Sequence, residues 1–311
     1  MNNNLQIISY LRQDELLTQE LVDIGNILVT VYPKLTMSLY CETIQNYSYL
    51  KPQFIINQQI FTGTKYIKLL DALAKTEADY LLSLDNDIAA DNAAITNMVN
   101  EFIANKYAIG WGKIYSREVN NFVSQLVMVD KLLSHNFLRP TLWKLGIGIT
   151  IPGQCFVIKV NAFKDKLNNI DTYLDDLSVG IYSAQNHLNY LFSKQVVAYE
   201  LPSYSLSGLA NQRRRWATGY SQLLEKTKPN TKEKKLLLIH AFSYHIIPIL
   251  YWVLLLILAT NKFVIFILLV LIVGVILTFF KPKYILSAIL YQLIFPVFHF
   301  IWLKQVIKEL L

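Results

Sequence analysis

Tyr80 to Asp87 reads YLLSLDND, and this stretch decides the fold class. Tyr80 to Leu84 is a continuous run without a charge, the composition of a strand buried on both faces. It stops abruptly at Asp85-Asn86-Asp87. In open α/β sheets ligands bind beyond the carboxyl ends of the strands, so acids placed there point toward a site. Working outward, Leu5 to Tyr10, Leu35 to Cys41 and Gln53 to Asn57 read as further strands. Between them, Leu17, Leu21, Ile24 and Leu28 mark one helical face, and Tyr66, Leu70 and Leu73 mark another after Gly63. Ile95, Met98, Val99 and Phe102 form a third stripe beyond the acids. The alternation predicts an α/β domain over about residues 1–212, a sheet covered by helices.

The rest of the chain has a different composition. Of 311 residues 53% are apolar and 16% charged, the mean hydropathy is +0.32 and the formal charge is +7. Disorder, collagen-like repeats and low-complexity linkers are excluded by these figures. Cys41 and Cys155 are the two cysteines, too few for a disulfide framework or a four-thiolate zinc site. His135, His187, His240, His245 and His299 show no zinc-ligand spacing. Residues 1–212 carry a net charge of −3, residues 213–235 of +6 and residues 236–311 of +4. From Leu236 to Leu303 the charged side chains are Lys262, Lys281 and Lys283, with no acid. Three apolar stretches, Leu236–Leu258, Phe263–Phe280 and Tyr284–Leu303, are each near the ~20 residues that cross a bilayer as a helix. His240, His245 and Pro248 make the first the weakest of the three. The basic residues before it place the N-terminal domain in the cytoplasm by the positive-inside rule. A basic run against an apolar segment points to anionic lipid rather than to nucleic acid, so no nucleic-acid partner is expected. Met1 to Glu15 lacks the apolar core of a signal peptide, so the chain is expected to begin directly in the α/β domain. The expected organisation is thus a cytoplasmic domain over 1–212, a basic interfacial segment over 213–235 and a membrane domain of about three helices over 236–311.

Three constellations carry chemistry. Asp85 and Asp87, spaced i, i+2 on a turn, can converge on a hard divalent cation; alternatively Asp87 or Asp91 caps the next helix. Asp175 and Asp176 in YLDDLSVGIYSAQ head a helix, where the helix dipole alone favours carboxylates and where a general base is equally well placed. Gln212-Arg213-Arg214-Arg215-Trp216 puts Trp216, Tyr220 and Leu223 or Leu224 on one helical face, suited to a membrane surface, with arginines suited to a diphosphate. A plain solvated basic face is the other reading.

Taken in order, DND after YLLSL, DD heading a helix and QRRRW before apolar helices resemble the D,D,D,QxxRW pattern of membrane-bound family 2 glycosyltransferases. Hyaluronan, chitin, cellulose and poly-N-acetylglucosamine synthases and ceramide glucosyltransferases share that pattern. Gly63-Thr64-Lys65 resembles the family's Gly-Lys element, and Gly153-Gln154-Cys155 its acceptor-site segment. The resemblance covers about residues 5–225. It implies a GT-A fold, a Rossmann-like nucleotide-diphospho-sugar transferase domain, followed by C-terminal transmembrane helices. It further implies that Asp85 and Asp87 hold Mg²⁺ or Mn²⁺, that Asp85 and Lys65 face the donor, and that Asp176 deprotonates the acceptor hydroxyl. Gln212, Arg215 and Trp216 would close over the diphosphate and bind the acceptor sugar. Where the family has Asp-Asp-Gly-Ser after the second strand, this sequence reads Tyr40-Cys41-Glu42-Thr43, so Glu42 is the acid expected against the nucleotide base. The first strand reads Ser9-Tyr10-Leu11-Arg12-Gln13-Asp14-Glu15 in place of Pro-x-Tyr-Asn-Glu. The implied activity is inverting, metal-dependent sugar transfer from a nucleotide-diphosphate donor, a UDP-sugar, in cell-surface polysaccharide or glycolipid synthesis. The implied acceptor is a membrane-proximal saccharide or a lipid-linked sugar, and the implied partners are the bilayer and a second copy or an accessory membrane subunit. The alternative is a non-catalytic scaffold or transport subunit that retains the fold.

Overall fold

The computed structural model describes residues 4–12, 15–168, 172–228 and 231–311; Gln13 and Asp14 of the first-strand segment lie outside them. Eight strands form one sheet: β1 (Leu5–Tyr10), β2 (Thr36–Cys41), β3 (Ile55–Ile60), β4 (Tyr80–Leu84), β5 (Ala89–Ala90), β6 (Ile109–Ser116), β7 (Cys155–Lys159) and β8 (Tyr190–Glu200). Their order is β3-β2-β1-β4-β7-β6-β8-β5. The first four run parallel, β7 runs antiparallel to both β4 and β6, and β5 runs antiparallel to β8. β4 has the expected bounds and all five of its residues are buried. β3 begins two residues later than the expected Gln53, whose amide is instead held by the Asn26 side chain at 2.7 Å.

In chain order the helices are α1 (Gln19–Val31), α2 (Lys65–Lys75), α3 (Asn92–Ala104), α4 (Phe122–Leu133), α5 (Arg139–Lys144), α6 (Val160–Phe163), α7 (Asp175–Gln185), α8 (Leu206–Lys226), α9 (Lys232–Ala241), α10 (Ile247–Asn261), α11 (Phe263–Leu277), α12 (Ile285–Ile294) and α13 (Pro296–Leu310). The chain divides into two compact units, Met1–Ile114 with Thr150–Glu200, and Tyr115–Ile149 with Leu201–Leu311. This differs from the linear division expected at residue 212: residues 115–149 belong with the C-terminal helices, and the 212/213 boundary falls inside α8.

The first unit has an apolar core in which Ile7, Leu39, Leu82 and Val157 of the sheet meet Leu21, Ile24 and Leu28 of α1 and Ile95, Val99 and Phe102 of α3. Gly25 lets α1 approach this layer, because a Cβ there would sit 2.2 Å from the Phe54 ring. In the second unit, Val123, Leu126 and Val129 of α4 pack with Leu209 of α8 and with Ala288, Tyr291, Phe295 and Phe298 of α12 and α13. An Asn121–Ser124 capping box starts α4.

Among the described residues one continuous helix, Lys232–Asn261, is long and apolar enough to cross a membrane; it joins α9 and α10 through a π turn at Phe242–Ile246. The third expected span is a pair of helices bent by 41° before Pro296, and the second is the 15-residue α11. Leu250, Leu254 and Ile257 of α10 and Val264, Leu268, Ile272 and Val275 of α11 are exposed.

Candidate active site

The site of the first unit is assembled where β4 ends. Register between β4 and β7 pairs Leu84 with Cys155, which sets Gly153 and Gln154 beside the acids, and the Asp85 amide donates to the Gln154 carbonyl at 2.9 Å. The Gly63-Thr64-Lys65 element delivers a cation to the same place. Gly63 has a φ of +139°, a turn conformation that favours glycine, Thr64 caps α2 by accepting from the Ile67 amide, and Lys65 is the first helical residue. Its ammonium lies 2.7 Å from Asp85 Oδ1 and 3.3 Å from Asp175 Oδ2, and it donates to the Gly153 carbonyl at 2.6 Å. The Tyr10 ring stands 5.1 Å from that ammonium. Burial pulls the Lys65 ammonium down, but Asp175 and Asp85 outweigh it and hold its affinity for the proton well above normal. Cys155, beside this cluster, is buried and its thiol is pushed up to about 12, which removes it as a nucleophile.

The two aspartates heading α7 divide. Asp175 is buried and paired with Lys65, whereas Asp176 is half-buried and its carboxylate accepts from the Leu177 amide at 2.9 Å. Burial pushes the Asp175 carboxyl up, against the opposing pull of Lys65. Asp176 flanks Gly153, where an added Cβ would lie 3.4 Å from the Asp176 Cβ. The sequence placed Asp175 and Asp176 together at the helix start without separating them, although helical phase carried the signal that divides them. Asp175 lies four and eight residues before Val179 and Ser183, both fully buried.

Between the two acids of DND, Asn86 is 5% exposed and acts as a staple. Its Nδ2 donates to the Leu16 carbonyl at 2.9 Å, its Oδ1 accepts from the Thr18 amide at 3.0 Å, and its carbonyl accepts from the Thr18 hydroxyl at 3.1 Å. Asp91 rather than Asp87 caps α3, accepting from the Ala94 amide at 3.0 Å. β5 pairs Ala89 with Tyr199, so the chain end of β8 brings Glu200 toward the turn, where its carboxylate accepts from the Gln154 side chain. Desolvation and the carboxylates of Asp85, Glu200 and Glu15 push the Asp87 carboxyl up, with Arg12 opposing. Glu200 and Glu15 carry no sequence signal of this proximity.

Oxygen-only donors under mutual repulsion fit Mg²⁺ or Mn²⁺. Among the described residues no three His, Cys, Asp or Glu groups are close enough to form a complete donor set. Asp85 and Asp87 offer two such side chains, so a cation held by them would take its remaining ligands from water and a bound diphosphate, as Mg²⁺ commonly does.

Glu42 directly follows β2 and is exposed. The parallel register of β2, β1 and β4 puts it at the same carboxyl edge as Asp85, about two strand spacings or ~10 Å along the sheet. Beside it, Glu15, Leu16, Thr43, Ile44, Gln45, Asn46 and Tyr49 line a concavity of about 580 Å³.

Gln212, Arg215 and Trp216 belong to α8 of the second unit. Arg214 and Arg215 are exposed, Gln212 and Trp216 half-buried. Arg213 is different: it is 6% exposed, bonds Asp130 of α4 at 2.6 Å and lies 4.3 Å from the Trp216 ring. It is not one of the headgroup-facing cations that the basic segment was expected to supply. Asp130 also accepts from the Tyr291 hydroxyl at 2.9 Å. The signal was again helical phase, since Leu209, Arg213, Ala217 and Tyr220 share one buried face.

Residues 80–298 match the model of the family described as glycosyl transferase family group 2. Comparison with curated proteins returns no match. Among solved structures the chain is similar to the mannosyltransferase PcManGT from Pyrobaculum calidifontis in complex with GDP-Man and Mn²⁺. That likeness has a TM-score of 0.52 at 16% identity, over 93% of this chain and 87% of that one. It is also similar to glucosyl-3-phosphoglycerate synthase from Mycobacterium tuberculosis in complex with Mn²⁺, UDP-glucose and phosphoglyceric acid. There the TM-score is 0.50 at 15% identity, over 71% of this chain and 79% of that one.

Proposed function

The chain belongs to glycosyl transferase family group 2, and on that premise we propose that it is an inverting, metal-dependent transferase working at a membrane surface. The observation that carries this reading is the convergence of Asp85, Lys65, Asp175, Asp176 and Gly153 at the carboxyl end of β4. Asp85 and Asp87 hold Mg²⁺ or Mn²⁺, which when bound supplies charge neutralisation at the leaving diphosphate. Asp176, the half-buried carboxylate of the pair, takes the proton from the acceptor hydroxyl as that oxygen attacks the anomeric carbon. Attack in line with the departing diphosphate inverts the anomeric centre and needs no covalent intermediate. Glu42 and the concavity beside it receive the nucleotide base, with the exposed Tyr49 as an apolar face. Gln212, Arg215 and Trp216 serve the diphosphate and the acceptor sugar.

The two similar solved structures are complexes with a GDP-sugar and a UDP-sugar, each with Mn²⁺, which supports a nucleotide-diphosphate donor. We assign α9 to α13 to the bilayer, with the first unit on the cytoplasmic side. The exposed apolar side chains of α10 and α11 and the lysines Lys232, Lys234, Lys235, Lys281 and Lys283 support this. The acceptor is accordingly a membrane-proximal saccharide or a lipid-linked sugar, in cell-surface polysaccharide or glycolipid synthesis.

The test is sugar transfer by membranes containing the protein, with Mn²⁺ and a panel of UDP- and GDP-sugars. Asp176→Asn is expected to lower transfer by about 10²–10⁴-fold, the scale of general-base catalysis, while donor binding persists. Unchanged transfer by that variant removes Asp176 as the base. Absence of both donor binding and turnover in the wild type would instead leave a scaffold that has kept the fold.

A further inference from the structure

We infer that Lys65 is a positioning residue that couples cation binding at Asp85 to the setting of the base, rather than a group that grips the donor; this rests on the catalytic reading above. Three oxygens surround the ammonium: Asp85 Oδ1 at 2.7 Å and the Gly153 carbonyl at 2.6 Å, and Asp175 Oδ2 at 3.3 Å as an ion pair. By holding Oδ1 of Asp85, Lys65 orients that carboxylate, as outer hydrogen bonds orient metal ligands generally. The same ammonium fixes both neighbours of the base. Asp175 precedes Asp176 in the first turn of α7, and Gly153 lies against the Asp176 side chain.

Two carboxylates compete for one ammonium. Lys65 held more weakly by Asp85 would be held more strongly by Asp175, so occupancy at the triplet would be felt at the head of α7. By linkage, Asp175 in turn affects cation affinity although it is not a ligand, because it draws Lys65 away from Asp85. Tyr10 walls the cluster on one side, and the Lys65 side chain keeps 23% of its exposure, so the ammonium has little room except between these acceptors.

A double-mutant cycle on the full chain tests this, with Mn²⁺ affinity read from the electron-paramagnetic signal of free Mn²⁺ in the absence of donor. Asp175→Asn is expected to weaken Mn²⁺ binding about fivefold, the low end of site-to-site coupling. In the Lys65→Met background the same substitution is expected to have almost no effect, because the coupling runs through the missing ammonium. An equal effect in both backgrounds means that Asp175 acts through space, and overturns the proposal. Kinetics give a second reading: Lys65→Met should lower kcat at least ~30-fold with the donor KM within about threefold, and Lys65→Arg should restore part of kcat. A raised KM with kcat retained makes Lys65 a donor-binding group and also overturns it. Should Lys65→Met not fold, Asp175→Asn alone decides, since unchanged Mn²⁺ affinity and kcat in that variant contradict the coupling. Wild-type protein that binds no Mn²⁺ overturns the catalytic reading and this inference together, whereas Mn²⁺ binding with an additive cycle overturns this inference alone.

Discussion

Among the described residues, Lys65 of the first unit is half-buried against carboxylates and Arg213 of the second is buried against one, and the two are held differently. Lys65 in the first unit faces two carboxylates and a carbonyl, so its cluster keeps a net negative charge. Arg213 in the second faces one carboxylate, Asp130, and is flanked by the Trp216 ring at 4.3 Å and the Phe295 ring at 5.3 Å. The arginine is matched one to one and stacked on aromatic faces, an arrangement that a planar guanidinium favours and an ammonium does not. The lysine is shared. A matched, stacked pair fixes a helix, in this case α8 against α4, whereas a shared ammonium holds two carboxylates at once and, on the proposed function, would leave room for a further cation. Burial of a cation is therefore no guide to its role until its partners are counted.

Asp130→Ala breaks the comparison most severely. It strands the Arg213 charge in a buried setting, and the expected loss is about 3–5 kcal/mol, read as a fall in thermal midpoint of the detergent-solubilised protein. Arg213→Lys keeps the charge but loses the stacking on Trp216 and Phe295, so a smaller loss of about 1–2 kcal/mol is expected in the same measurement. Asp175→Asn in the shared cluster should change stability by less than ~1 kcal/mol. The neutral amide escapes the burial penalty of the carboxylate, and Lys65 retains Asp85. A destabilisation as large as that of Asp130→Ala would show that the two clusters are alike after all.

The smallest effect is in pH. Asp87 has its carboxyl raised in the folded chain, so the folded state takes up a proton more readily than the unfolded one. Its contribution to the metal-free protein is thus unfavourable at neutral pH, and the penalty fades as pH falls through the raised value toward the ordinary carboxylate range. Asp87→Asn should stabilise the metal-free protein near pH 7 by a few tenths of a kcal/mol, the scale of an exposed charge interaction. The same variant should lose the stabilisation that added Mn²⁺ gives the wild type, which thermal melts with and without the ion measure.

The sheet and the edge on which the site lies were legible in the sequence, because both follow from local composition. YLLSL is a buried strand by its apolar run, and the acids after it mark the edge where parallel strands deliver ligand-binding residues. Helix starts at Lys65, Asn92 and Asp175 likewise follow short-range signals of capping and periodicity. Three things were not legible. Helical phase marks Asp175 as the buried member of its pair, but its partner Lys65 lies 110 positions earlier in the chain, beyond any local window. Helical phase puts Arg213 on a buried face of the basic run, but its partner Asp130 lies 83 residues away and is not named by that phase. The placement of residues 115–149 with the C-terminal helices depends on packing among Val123, Leu126, Ala288 and Tyr291, which no local window contains. Pairings across long stretches of chain, rather than element types, were what the linear pattern concealed.

Asn86 bears on how such patterns are written. In a triplet scored as acid, anything, acid, the middle letter is treated as empty, yet this asparagine makes three hydrogen bonds to Leu16 and Thr18. It is the joint through which the turn bearing both carboxylates is fastened to the segment leading into α1. A search that tolerates any residue there discards the information that tells a wired turn from an accidental pair of acids. The same holds for anyone redesigning the site: substituting the two acids changes its chemistry, and substituting the residue between them changes where that chemistry is aimed.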